Sequence, residues 1–107
     1  MKLVMAIVSS DDSSAVSSTL TEHGYYITKL STTGGFLRTG NTTFLVGVDD
    51  EKVPEVIELI KSESSRRTEI VPATATFDIN HYAAYPVEVA VGGSTIFVLN
   101  VEQFVKA

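Results

Sequence analysis

Cysteine is absent from these 107 residues, so neither a disulfide framework nor thiolate chemistry is available. Histidine is scarce: His23 and His81 stand far apart without metal-ligand spacing, which argues against a zinc site. Basic residues are also few. Eight Lys and Arg face thirteen Asp and Glu, a net charge of −5, and only Arg66 and Arg67 adjoin. A nucleic-acid polymer or an anionic membrane surface requires a concentrated basic face, so both are excluded as partners. Long hydrophobic runs are missing too. "LVMAIV", residues 3–8, is too short to span a bilayer or to form an ordinary signal-peptide core, and no cleavage-site pattern follows it. The expectation is one cytoplasmic domain over 1–107, without membrane insertion. Its apolar fraction of 44% excludes global disorder.

Catalytic signatures are equally lacking. The serines from Ser9 to Ser18 form no Gly-x-Ser-x-Gly elbow, and no motif pairs a nucleophile with a base or two carboxylates for acid–base work. Asp11-Asp12 and Asp49-Asp50-Glu51 are explained by helix-start electrostatics without a bound cation. No enzyme is expected, and no cofactor or metal.

What is present is strong strand and helix patterning. "KLVMAIV" is apolar and rich in branched residues, a buried strand over 2–8. Ser10 or Asp11 then offers a helix N-cap, Val16 and Leu20 share a face, and Gly24 ends the helix, with His23 as a cap at its negative end. Serine and threonine make this helix weak by propensity, so packing must hold it. "YYITKLS" and "TTFLVGV" predict two more strands. "DDEKVPEVIELIKSESS" predicts the clearest helix, with Val53, Val56, Ile57 and Ile60 at helical spacing and Pro54 in the first turn. "TEIVPA" is a short strand candidate, and "TATFDINHYAAYP" is an irregular excursion. "PVEVAV" alternates as a half-buried strand. Gly92-Gly93 predicts a tight reversal pairing it with "STIFVLNV" as a hairpin.

Strand, helix, strand, strand, helix, strand is the order of an α+β, ferredoxin-like (split β-α-β) two-layer sandwich, here with an inserted β-hairpin excursion before its last core strand. Helices cover one sheet face. Yet "LVMAIV" and "TIFVLNV" are apolar on both, so the second face is expected to be buried against copies of the same chain. The rival reading folds the inserted segment over its own sheet.

Between two of the strands lies "TTGGFLRTGN", residues 32–41. It lacks the Gly-Lys-Ser/Thr ending of a P-loop and the spacing of a dinucleotide fingerprint. Gly34 and Gly35 let a ligand approach the main chain, and successive N–H groups in such a turn can cradle an anionic oxygen. Phe36 offers a face for an aromatic heterocycle. Arg38 and Lys29 are the nearby cations, but strand alternation turns Lys29 away from Thr28. Gly47 in the next strand fits close approach by ligand or backbone. The alternative is a plain connection whose Phe36 tucks into a neighbouring subunit.

"TKLSTTGGFLRTGNTTFLVGV" together with "YPVEVAVGGSTIFVLNVEQF" resembles the cyclic di-AMP receptors of the bacterial PII-like signalling family, with the likeness running from Met1 to Phe104. The resemblance implies a non-catalytic, ferredoxin-like homotrimer that binds one cyclic dinucleotide in each cleft between subunits. Binding would rearrange the cleft loops and present them to a downstream protein not yet identified. It implies ligand contacts at Thr28, Gly35, Phe36, Leu37, Asn41 and Gly47. Gly24 and Tyr26 stand where these receptors commonly carry asparagine and arginine; Tyr26 keeps a stacking face without the charge. The excursion lacks the family's Met-Gly-Gly stretch, and "QFVKA" differs from its terminal residues. A second reading is an interaction protein of the same fold that has lost cyclic di-AMP or exchanged it for another adenine nucleotide.

Overall fold

The computed structural model describes residues 1–31, 40–71 and 87–107. β1 (Lys2–Ser9) and β3 (Asn41–Val48) pair antiparallel at the centre of a four-stranded sheet. β2 (Thr28–Ser31) flanks β3, and β6 (Ser94–Asn100) flanks β1, giving the order β2-β3-β1-β6. α1 (Ser13–Glu22) connects β1 to β2, and α2 (Val53–Ser64) follows β3. This arrangement is compatible with the ferredoxin-like architecture. Among the described residues, no helix is long and apolar enough to cross a membrane.

Period-2 alternation sorts each central strand into two faces. Val4, Ala6 and Val8 of β1 and Thr42, Phe44, Val46 and Val48 of β3 are buried on the helix side. Against them pack Val16 and Leu20 of α1 and Val56 and Ile60 of α2, all without solvent exposure. Each fully buried aliphatic or aromatic side chain contributes about 1.5–3 kcal/mol, which offsets the poor propensity of the serine-rich α1. Both helices enter through a 3-10 turn, Ser10–Asp12 and Asp50–Lys52, and the Ser9 hydroxyl accepts from Asp11 N–H. Pro54 occupies the first turn of α2, where its missing N–H costs least. At the other end of α1, His23 Nδ1 donates to the Thr19 carbonyl at 2.8 Å, as expected of a cap.

The second sheet face is uncovered among the described residues. The register places Leu3, Met5, Ile7, Leu45, Leu30, Phe97 and Leu99 on it. Leu30, Phe97 and Leu99 are 42–50% exposed. Isolated surface hydrophobics need no explanation, but a contiguous patch marks an interaction surface.

Two expectations are corrected. "PVEVAV" does not pair with "STIFVLNV": β5 (Val87–Val91) pairs with β4 (Arg67–Val71) as a separate two-stranded arm, while β6 joins the main sheet beside β1. Gly92 and Gly93, at φ 78° and 95°, carry the chain from one sheet to the other. Because this arm stands apart from the core, Val89 is 38% exposed rather than half-buried by alternation. Second, only Thr28–Ser31 of "YYITKLS" forms a strand. Tyr25 N–H instead donates to the Leu20 carbonyl, ending α1, and Tyr25 packs against the core. Burial, reinforced by a hydrogen bond to Glu55 and its charge, raises the Tyr25 phenol pKa.

An ion pair ties the arm to the core. Arg67 Nη2 and Nη1 donate to the Asp12 carboxylate at 2.8 and 3.3 Å, and Nη1 also donates to the Ser65 carbonyl. Hydrogen bonding to Asp12 pushes the Arg67 pKa further above its ordinary value, so the guanidinium stays charged. Asp12 is 5% exposed, whereas the Arg67 side chain is 43% exposed. Arg67→Ala is therefore expected to destabilise more than Asp12→Asn, because it strands a buried carboxylate while the reverse change leaves a cation within reach of water. Urea midpoints check the ranking; equal midpoints would refute it.

Candidate functional site

One end of the sheet gathers the end of β1, the start of β3, the entry to α1, the exit of α2 and the root of the arm. Asn41 opens β3 there, opposite Ser9. Ser10 fixes the residue before it: its N–H donates to the Gly40 carbonyl at 3.1 Å, and its hydroxyl donates to the same oxygen. That hydroxyl is also 3.4 Å from Thr42 Oγ1. The far foot of the 32–41 segment is thus held to the entry of α1. Sequence reasoning gave Ser10 only as a cap, since nothing in the residue order signals a contact thirty positions away.

The predicted ligand residues fall into three groups. Thr28, Asn41 and Gly47 lie on the uncovered sheet face, because Thr28 pairs with Leu45, and residues 41, 45 and 47 share one side of β3. They do not converge. Asn41 and Gly47 stand six positions apart (47 − 41), about 20 Å along a strand. A Cβ added at Gly47 would meet nothing within 4 Å, so the space above it is open. Lys29 pairs with the buried Phe44 and takes the opposite side from Thr28, as alternation predicts. Tyr26, before β2, is 94% exposed. Gly35, Phe36 and Leu37 lie outside the described residues, as do Arg38, His81, Tyr82 and the excursion.

Asn41 lines a cleft of about 780 Å3 between the sheet end and the root of the arm. Ser9, Ser94 and Thr95 supply hydroxyls, Ile7 and Ile96 supply apolar wall, and Lys61 and Arg66 supply positive charge. The two cations were not anticipated as site residues. They follow Asn41 in the sequence by 20 and 25 positions (61 − 41 and 66 − 41), and only the approach of α2's last turn to the sheet end brings them to the same cleft as Asn41.

These features define a small α+β protein with one helix-covered and one open apolar sheet face, and a polar cleft at the sheet end. The family model described as cyclic-di-AMP receptor matches residues 1–107, and the chain belongs to that family. A crystal structure of a functionally unknown protein from Pediococcus pentosaceus ATCC 25745 is 44% identical and superposes with a TM-score of 0.79, covering 99% of this chain and 96% of that one. Membership implies a binding or sensing role with cyclic di-AMP as the ligand.

Proposed function

We propose that the protein is a non-catalytic cytoplasmic sensor that binds cyclic di-AMP in clefts between the subunits of a homotrimer. Rearranged loops at the cleft then engage a downstream protein. The carrying observation is the placement of Thr28, Asn41 and Gly47 on one uncovered apolar face, spread too widely to enclose a ligand. A single chain thus supplies one wall, and a second copy docked on that face supplies the other. Gly35, Phe36 and Leu37, which follow β2 in the sequence, are the residues we assign to main-chain approach and to an aromatic face for adenine.

Calorimetric titration with cyclic di-AMP, with cyclic di-GMP and ATP as controls, tests the reading. Saturable, selective binding at one ligand per chain is expected. Phe36→Ala is expected to weaken it by roughly 5- to 150-fold, the value of one base–aromatic stack. No heat from folded, trimeric protein would overturn the proposal. One observation favours the second reading, an interaction protein without this ligand: Tyr26, which lacks the charge of the receptors' arginine, is 94% exposed. Binding of ATP but not of cyclic di-AMP would support the adenine-nucleotide form of it.

A further inference from the structure

The cleft holding Asn41 has a charge that the rest of the molecule does not. The chain carries thirteen acids against eight bases. Yet among the described residues the cleft is lined by Lys61 and Arg66 and by no carboxylate. The adjacent arginines have divided their tasks. Arg67 is committed to Asp12 and Glu69, whereas Arg66 makes no ion pair or hydrogen bond among the described residues. Among the described residues the Lys61 ammonium pairs only with Glu58, at 3.4 Å on the exposed side of α2. Such a solvated pair is readily exchanged for a better anion.

Around these cations the lining is neutral: hydroxyls of Ser9, Ser94 and Thr95, the amide of Asn41, and the apolar side chains of Ile7 and Ile96. Cations with neutral donors beside a small apolar wall suit a phosphate attached to an organic group. A guanidinium meets two phosphate oxygens with parallel N–H bonds, which an ammonium cannot do. The opening of about 780 Å3 far exceeds a bare anion.

We propose that this cleft is the phosphate-binding part of the ligand site, with Arg66 as the principal contact to one phosphodiester and Lys61 in support. The proposal rests on the reading of the chain as a cyclic di-AMP sensor. It assigns to the root of the arm the charge that an acidic protein needs to hold a dianion.

Titrations of the full chain with cyclic di-AMP at low and high salt test it. Arg66→Gln is expected to weaken binding roughly 10- to 100-fold by removing a charge-assisted contact, with Arg66→Lys recovering part of the loss. The salt dependence of the affinity should flatten in Arg66→Gln, because fewer charges are then neutralised on binding. Lys61→Gln should show the same effects more weakly. Lys52→Gln, the same charge change outside the cleft, should leave affinity unchanged. Since Arg66 is exposed, the melting temperature of Arg66→Gln should match wild type. If wild type binds but Arg66→Gln matches Lys52→Gln in affinity and salt slope, the phosphate assignment falls and the sensor reading stands. If wild-type protein fails to bind at either salt concentration, both fall.

Discussion

A Gly92→Val variant is expected to melt far below wild type, by about 10–20 °C for a domain of this size if the cost is ~3 kcal/mol. Two costs combine at this position. Gly92 has φ 78°, a backbone conformation that a β-branched residue adopts only with strain of about 1–3 kcal/mol. A Cβ there would also lie 2.7 Å from both Arg67 Nη1 and the Ser65 carbonyl oxygen, and 3.2 Å from the Asp12 carboxylate. The Arg67 tip can swing aside, at the expense of its pairing with Asp12. The Ser65 carbonyl has no such freedom: it lies between the last turn of α2 and β4, and Gly93 N–H donates to the neighbouring Ser64 carbonyl at 2.6 Å. Gly93→Ala is the internal control. Its φ of 95° carries comparable backbone strain, but the added Cβ would meet only Arg66 Cβ at 3.7 Å. Thermal unfolding followed by circular dichroism should therefore rank wild type above Gly93→Ala, and Gly93→Ala well above Gly92→Val. Equal melting temperatures for the two variants would mean that crowding against Ser65 and Arg67 contributes nothing.

The same glycine pair shows where the sequence was legible and where it was not. Two adjacent residues without Cβ correctly signalled unusual backbone angles at Gly92-Gly93, φ 78° and 95°, but the tight reversal predicted there does not form. Turn chemistry could not report which strand follows as partner. β1 is the buried central strand and its backbone N–H and C=O groups need partners on both edges; β3 supplies one and β6 the other, and β5 is left to pair with β4. That choice is decided by the whole sheet rather than by the turn. Local periodicity sufficed for β1 and β3, whose buried positions alternate, and in part for α2: Val56 and Ile60 are buried and Val53 packs against the core, whereas Ile57 is only half-buried and Ser64 fills the last buried position. It also identified the core face of α1 at Val16 and Leu20 despite poor propensity. Tyr25 shows the limit: its apolar ring suits a strand, yet its N–H closes the end of α1.

For the candidate site, alternation was enough to set Thr28 apart from Lys29 and to put Asn41 and Gly47 on the same side. Family resemblance, not periodicity, named them as ligand residues. The contributions of Ser10, Lys61 and Arg66 depend on three segments meeting at the sheet end, and no spacing rule links positions 10, 41 and 66. The charge of the cleft was hidden for a further reason. Arg66-Arg67 reads as an isolated dipeptide, and only the structure shows that one member is held by a buried aspartate while the other faces Asn41's cleft.

Phe97→Asp is the change expected to alter assembly most. Phe97 lies on the uncovered face opposite Met5, in edge strand β6, and is 50% exposed within one chain. If that face is buried between copies, an aspartate there must be desolvated without a partner, at a cost of several kcal/mol in each subunit. The isolated chain bears no such cost, since water reaches the position. The expected result is dissociation without unfolding: sedimentation or light scattering should move from three times the 11.5 kDa chain mass to a single chain, while far-ultraviolet circular dichroism is retained. Cyclic di-AMP binding should disappear in parallel, because Thr28, Asn41 and Gly47 would form a wall with nothing opposite. Retention of the trimer by a folded Phe97→Asp protein would place the subunit contact elsewhere, and the apolar face would then need another cover. Dissociation with undiminished binding would separate the two halves of the proposal, since a ligand held by one chain does not need a cleft between subunits.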